Sequence, residues 1–176
     1  RKAAARRKKF VFFLDQTTPV HGERAWEIGH IDHTQLDIEV VCSRTGVNLG
    51  RPWLTLLIDA RTRRILAIYV SMFGESYESA MMVLRECVRR HSRLPQILVV
   101  DNGRSFNNVY FDTLLANFGV TRKSRPASQP RFGSVCERIF GTINSQFIHA
   151  LCGNTKLTKN VREITEDRDP KKLARW

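Results

Sequence analysis

Ile97-Leu98-Val99-Val100-Asp101-Asn102-Gly103 is the stretch whose reading decides the fold. A short, wholly apolar run of β-favouring residues suits a strand covered on both faces. It runs straight into an acid followed by Asn-Gly, a pair with strong turn propensity. A buried strand that stops this way leaves its last carboxylate at the rim of a sheet. Open sheets flanked by helices place their functional groups at that rim.

Upstream, Pro95 ends a helix expected over 76–91. Ser76 is its N-cap, and Glu78 complements the dipole in its first turn. Tyr77, Ala80, Met81, Leu84, Cys87, Val88 and His91 recur at helical spacing, with Met81 and Met82 as core filler. Before that helix, Trp53–Ile58 and Ile65–Val70 read as central strands joined by the polar turn Asp59–Arg64. Earlier still, Trp26 to Cys42 is strand-like, and the Gly-containing stretch 43–50 is a loop. Downstream come a helix over 108–118 closed by Gly119, a strand over 120–124 and a loop bounded by Pro126 and Pro130. A third helix is expected from Gly133 to Leu151, with Cys136, Phe140, Ile143, Phe147 and Leu151 as its buried stripe. A strand meander, then a helix, then strand–helix–strand–helix implies an α/β fold: a mixed sheet with helices on both faces.

The 176 residues divide into a basic lead-in (1–20), one catalytic-sized core (21–153) and a charged, apolar-poor segment (154–176). The last reads as a linker or the start of a further domain. With no initiator methionine, the chain reads as a piece of a longer protein. Hydrophobic residues make up 42%, which excludes a disordered or fibrous chain. Cys42, Cys87, Cys136 and Cys152 form no C-x-x-C pair, which favours free thiols in a reducing compartment over a disulfide scaffold or zinc module. No apolar run reaches the roughly 18 residues of a membrane span.

Lys and Arg total 29 against 17 acids, a net charge of +12. That imbalance points to a polyanionic partner, nucleic acid above all. Six of the positive charges lie within residues 1–9, and the acid-free interval between Asp112 and Glu137 holds a second basic stretch, 122–131.

Three acids stand out by placement. Asp32 interrupts a hydrophobic strand in His30-Ile31-Asp32-His33-Thr34, Asp101 ends another, and Glu137 lies at the edge of the third helix's buried stripe. An acid in an apolar strand carries a desolvation penalty, and converging carboxylates repel one another unless divalent cations join them. Carboxylates holding two Mg²⁺ ions about 3.5–4 Å apart suit in-line displacement at phosphorus. Asp59, before an Arg-rich turn, reads as a structural ion pair or turn cap. Asp37 falls on the face opposite Asp32 if the strand stays regular. His30 and His33 read as packing or supporting residues.

The segments His30–Thr34, Arg51–Asp59, Val99–Gly103 with Phe106, and Glu137-Arg-Ile-Phe-Gly-Thr142 resemble the catalytic core of DDE transposases and retroviral-type integrases. Between Asp101 and Glu137 lie 35 residues, as in the D,D-35-E signature, and 68 lie between Asp32 and Asp101. Arg-Pro-Trp-Leu-Thr and Glu-Arg-x-Phe-Gly-Thr resemble the TnsB/TniA and phage Mu branch most. The resemblance implies a ribonuclease H-like fold with a mixed five-stranded sheet. It implies an acid triad, Asp32, Asp101 and Glu137, that is catalytic and holds two Mg²⁺ (or Mn²⁺) ions. It also implies cleavage at transposon 3′ ends and transfer of the freed 3′-hydroxyl into target DNA. The partners that follow are transposon-end and target DNA, further copies of the chain assembled on DNA, an AAA+ ATPase target selector and an accessory endonuclease. Lys123, Arg125, Arg131, Arg138 and Asn144 are the expected DNA contacts, because they lead into or lie on the Glu137 helix. Where relatives carry more lysine and glycine before that glutamate, this chain reads Gln129-Pro-Arg-Phe-Gly-Ser-Val-Cys136. Two rival readings are a ribonuclease H-like nuclease or junction resolvase, and a DNA-binding assembly module with a silent site.

Overall fold

The computed structural model describes residues 21–101, 103, 106–125, 134–155 and 174–175. Strands β1 (Ile28–Gln35), β2 (Val40–Val41), β3 (Asn48–Gly50), β4 (Trp53–Asp59) and β5 (Ile65–Ser71) come first. They are followed by α1 (Tyr77–His91), β6 (Ile97–Val100), α2 (Val109–Asn117), β7 (Thr121–Ser124), α3 (Ser134–Gln146) and a 3₁₀ turn (Ile148–Ala150), and β8 (Ala174–Arg175) closes the series. The main sheet has the order β5-β4-β1-β6-β7. β4 runs antiparallel to both β1 and β5, whereas β6 is parallel to β1 and to β7. Strands β1, β5, β6 and β7 therefore share one direction, and their carboxyl ends form a single rim.

Alternation along these strands feeds two cores. Ile31, Leu57, Leu98 and Val100 face one side, where Ala80, Val83 and Leu84 of α1 and Phe111 and Leu115 of α2 cover them. Leu54, Leu56 and Ile58 face the other side against Val135, Cys136 and Phe140 of α3. Helices thus lie on both faces of the sheet. At Gly29 the sheet leaves no room: a Cβ there would lie 2.7 Å from the Pro95 ring.

Helix α1 starts where expected. The Ser76 side chain accepts from the Ser79 amide, and Ser92 closes the helix in the left-handed conformation at φ 54°. Asn108 caps α2 by accepting from the Tyr110 amide, and Gly119 (φ +64°) ends that unit.

Four expectations change, the first being that the stretch 43–50, expected as a loop, ends in strand β3 (Asn48–Gly50), which pairs with β2. The strand-like stretch 26–42 is two strands, because β1 stops at Gln35. Asp37 therefore escapes β1's alternation. Its amide donates to Asn144 Oδ1 of α3 at 3.3 Å, and its carboxylate pairs with Arg51 at 2.7 Å, so it sits on the α3 side as Asp32 does. Helix α3 ends at Gln146 instead of Leu151. The 3₁₀ turn that follows advances about 120° per residue instead of 100°. Ile148 takes the inward position (9% exposed), whereas Phe147 (65%) and Leu151 (48%), expected in the buried stripe, face outward.

Beside the main sheet, β3, β2 and β8 form a small second one. Ile38 forms an isolated bridge with Asn154, and β8 lies parallel to β2, so both described ends of the segment after 153 pair with the core. Among the described residues no helix is long and apolar enough to cross a membrane.

Candidate active site

The register sets the site. β1 pairs with β6 through His30↔Val99, and two further residues along each strand bring Asp32 level with Asp101. On the far side of β6, the Arg125 amide donates to the Val100 carbonyl at 2.8 Å, which brings Arg125 to the same rim. Asp32 within β1, Asp101 just past β6 and Arg125 just past β7 thus stand level on three adjacent parallel strands.

Asp32 is largely buried. Its Oδ1 accepts from the His33 amide at 2.9 Å, and its Oδ2 accepts from Arg125 Nη1 at 3.0 Å. Asp101 folds back on its own turn, where Oδ1 accepts from the Gly103 amide at 2.8 Å. A Cβ at position 103 would stand 2.8 Å from that same oxygen, so a side chain there would push the carboxylate out of this position. Asp101 Oδ2 accepts no hydrogen bond among the described residues. The donor set offered here is carboxylate oxygen, which suits a hard ion such as Mg²⁺ or Mn²⁺.

Glu137 stands apart. It is exposed in the first turn of α3, one residue beyond Cys136, whose buried thiol lines the site. Burial above all, with the Asp32 charge behind it, pushes that thiol up to about 12, so it stays neutral. Among the described residues no three His, Cys, Asp or Glu side chains are gathered closely enough to hold an ion. The structure therefore brings Asp32 and Asp101 together and leaves the Glu137 carboxylate outside their group.

The expected DNA contacts divide. Lys123 is exposed on β7, and Arg138 is exposed on α3 beside a small cavity of about 190 Å³ that it lines with Arg63, Val135 and Ile139. Arg131 lies outside the described residues. Arg125 is turned inward onto Asp32, and the Asn144 side chain holds the Asp37 amide.

Sequence reasoning missed Glu75. Burial raises its pKa first, and the charges of Asp101 and Asp32 add to that, so it feels both aspartates. Its only signal is topological: it follows β5, whose carboxyl end joins those of β1 and β6. His33 packs its ring on Phe106 (centroids 5.0 Å apart) and shares a 2.7 Å hydrogen bond with Thr55. Burial lowers its pKa against the opposing pull of Asp32 and Asp101. His30 is buried with neither ring nitrogen hydrogen-bonded among the described residues. Its pKa falls to about 4, through burial first and then Arg125, His21 and Arg63. Asp59 is the turn cap anticipated, accepting from Trp26 N, Thr62 N and Thr62 Oγ1.

With this geometry in view, the profile of the TnsB C-terminal domain matches residues 30–153, most of the chain. The chain belongs to the TnsB C-terminal domain family. Its similarity extends to the transposase of transposon Tn552 from Staphylococcus aureus, at 25% identity over 134 residues, which covers 72% of this chain. The chain spans only 28% of that relative's length. The fold is also shared with retroviral structures at low identity. The simian T-cell lymphotropic virus intasome, solved with the PP2A regulatory subunit B56 gamma, matches at TM-score 0.59 and 13% identity, over 81% of this chain and 45% of that one. The HTLV-2 integrase catalytic core in complex with magnesium matches at TM-score 0.51 and 14% identity, over 69% of each chain. The BIV integrase core matches at 0.50 and 13%, over 70% of each. This TnsB-family chain thus has the ribonuclease H-like fold of integrase cores and a transposase kinship.

Proposed function

We propose that this chain is the catalytic core of a DNA transposase, which cleaves transposon 3′ ends and transfers the 3′-hydroxyl into target DNA. The observation that supports it best is the level placement of Asp32 and Asp101 on adjacent parallel strands. Asp32, Asp101 and Glu137 would hold divalent metal, Mg²⁺ or Mn²⁺. Bound there, the metal supplies charge neutralisation at the phosphate and activation of the attacking oxygen. The chain's own residues fix the carboxylates. The His33 amide orients Asp32, the His33–Phe106 stack holds that strand end, and the Gly103 amide orients Asp101. Glu137 joins when α3, reached through the segment 126–133, brings its first turn toward the strands. Lys123, Arg125, Arg131, Arg138 and Asn144 remain the proposed DNA contacts. Further copies of the chain, an AAA+ ATPase and an accessory endonuclease follow from the family resemblance alone.

One observation favours a second reading: Glu137 stands apart from the aspartates, as it would in an assembly module with a silent site. A single comparison separates the two. In the full-length transposase, D101N and E137Q should bind transposon-end DNA like wild type but cleave and join it at least about a thousandfold more slowly in Mg²⁺. D101N working at wild-type rates would overturn the assignment, and a wild-type protein that binds ends but never cuts them would favour the silent module. Preferential hydrolysis of an RNA–DNA hybrid would instead favour the nuclease reading.

A further inference from the structure

Arg125 is the residue whose observed position departs most from a DNA-contacting role. Its guanidinium spans three groups of the site: Asp32 Oδ2 at 3.0 Å, the Ile31 carbonyl at 3.4 Å and Cys136 Sγ at 3.9 Å. The two charged side chains are only 13% and 16% exposed, so water screens the pair less than a surface ion pair. Among the described residues, Asp32 is the carboxylate this guanidinium meets, at 3.0 Å. The backbone anchor to Val100 keeps Arg125 at the Asp101 level, so the arginine sits between the strand ends and the wall made by α3.

Two cations cannot share Asp32 freely. A guanidinium on Oδ2 and a divalent ion on the same carboxylate repel each other, and in a partly buried site that repulsion is strong. A displaced guanidinium can pair with a phosphodiester, which matches its planar fork. We propose that Arg125 is a positioning residue that exchanges Asp32 for the DNA backbone as the divalent ion arrives, so that metal and DNA bind cooperatively. The inference rests on the reading of Asp32 as a metal-holding carboxylate. It makes the free protein a poor metal binder, with Asp32 held in reserve until DNA is present.

Mn²⁺ binding, read by electron paramagnetic resonance of the free ion, tests this without any catalytic assay. In the absence of DNA, R125Q should bind Mn²⁺ about tenfold more tightly than wild type. A DNA duplex should tighten Mn²⁺ binding to wild type by a similar factor and leave R125Q nearly unchanged, because coupling is reciprocal. Circular dichroism checks that the variant folds. If it does not, the wild-type Arg125 Nε–Hε resonance, identified by its absence in R125K, should move on Mg²⁺ titration and again when DNA is added. Equal Mn²⁺ affinities for wild type and R125Q, or an Nε–Hε signal unmoved at Mg²⁺ saturation, would overturn the exchange while leaving the proposed transposase activity intact. Tighter binding by R125Q in a protein that never cuts DNA would support the exchange and sink the transposase reading. No Mn²⁺ binding by either form at millimolar concentration would sink both.

Discussion

Strand β1 has an acid near each end, and the two are held in opposite ways. Near its start, Asp59 pairs across from Gly29 on β4 and is 1% exposed. Three uncharged donors saturate it: Trp26 N at 2.7 Å, Thr62 N at 2.7 Å and Thr62 Oγ1 at 2.6 Å. Two of these belong to the turn that Asp59 itself opens. Near the other end, Asp32 has one local donor and one charged partner 93 residues away in sequence. Neighbouring Asp101 has one local donor and a second oxygen without any among the described residues. An acid satisfied by its own turn is architecture. An acid whose charge is met only by a removable cation is available for other cations, and that difference separates the two ends.

The contrast breaks most visibly at Asp59. Replacing it with Ala leaves three part-buried donors without their acceptor, at up to about 1 kcal/mol each, so D59A should lose about 2–3 kcal/mol of stability in urea unfolding. D59N should lose less, because its carbonyl oxygen still accepts. Both variants should keep wild-type Mn²⁺ affinity. A D59A variant that unfolded like wild type but lost metal binding would reverse the roles assigned to the two ends.

Much of this was legible in the sequence, and the limits have physical causes. The apolar runs at 53–58, 65–70 and 97–100, the Ser76 cap and the Gly119 stop are local signals, and each produced the expected element. Asp101 was readable because strand, acid and turn are contiguous. The meeting of Asp32 with Asp101 could be inferred only as a convergence, since its register depends on a parallel pairing across 68 residues. Glu75 and the inward turn of Arg125 left no local trace. Both depend on which strand ends share a rim, which sequence spacing does not encode. The end of α3 was misread because periodicity assumes a constant 3.6-residue turn, and the tighter turn after Gln146 changes the phase.

His30 lies on β1 between the two acids and belongs to neither end's hydrogen-bond scheme. It pairs across from Ile58, and its ring nitrogens have no hydrogen-bond partner among the described residues. Its pKa is lowered from the ordinary value near 6.5 to about 4, so between those values the unfolded chain binds the proton and the folded chain does not. Stability therefore rises with pH across that window and is lost as pH falls through it. From pH 7.5 to pH 5 this residue alone should remove about 2 kcal/mol. H30F should flatten that part of the stability–pH curve measured by urea unfolding. An unchanged slope would show that the acid sensitivity arises at one of the strand ends instead.

The smallest effect sharpens the comparison at the rim itself. Ser76 Oγ accepts from the Ser79 amide at 3.2 Å and lies 3.3 Å from the Ser79 hydroxyl, next in sequence to Glu75. S76A removes the cap from a 15-residue helix and should cost about 1 kcal/mol. In a chain of this size that lowers the melting midpoint by about 2–4 °C. S76N should restore the midpoint, because its side-chain oxygen caps equally well without adding charge beside Asp101. The cap supports the α1 side of the sheet, whereas Asp32 takes its cation from β7 and meets α3. S76A should thus change Mn²⁺ affinity by less than about twofold while R125Q changes it by about tenfold. If the lost cap shifted metal binding as strongly as the lost arginine, the rim would be one cooperative unit. The distinction between its architectural and exchangeable parts would then dissolve.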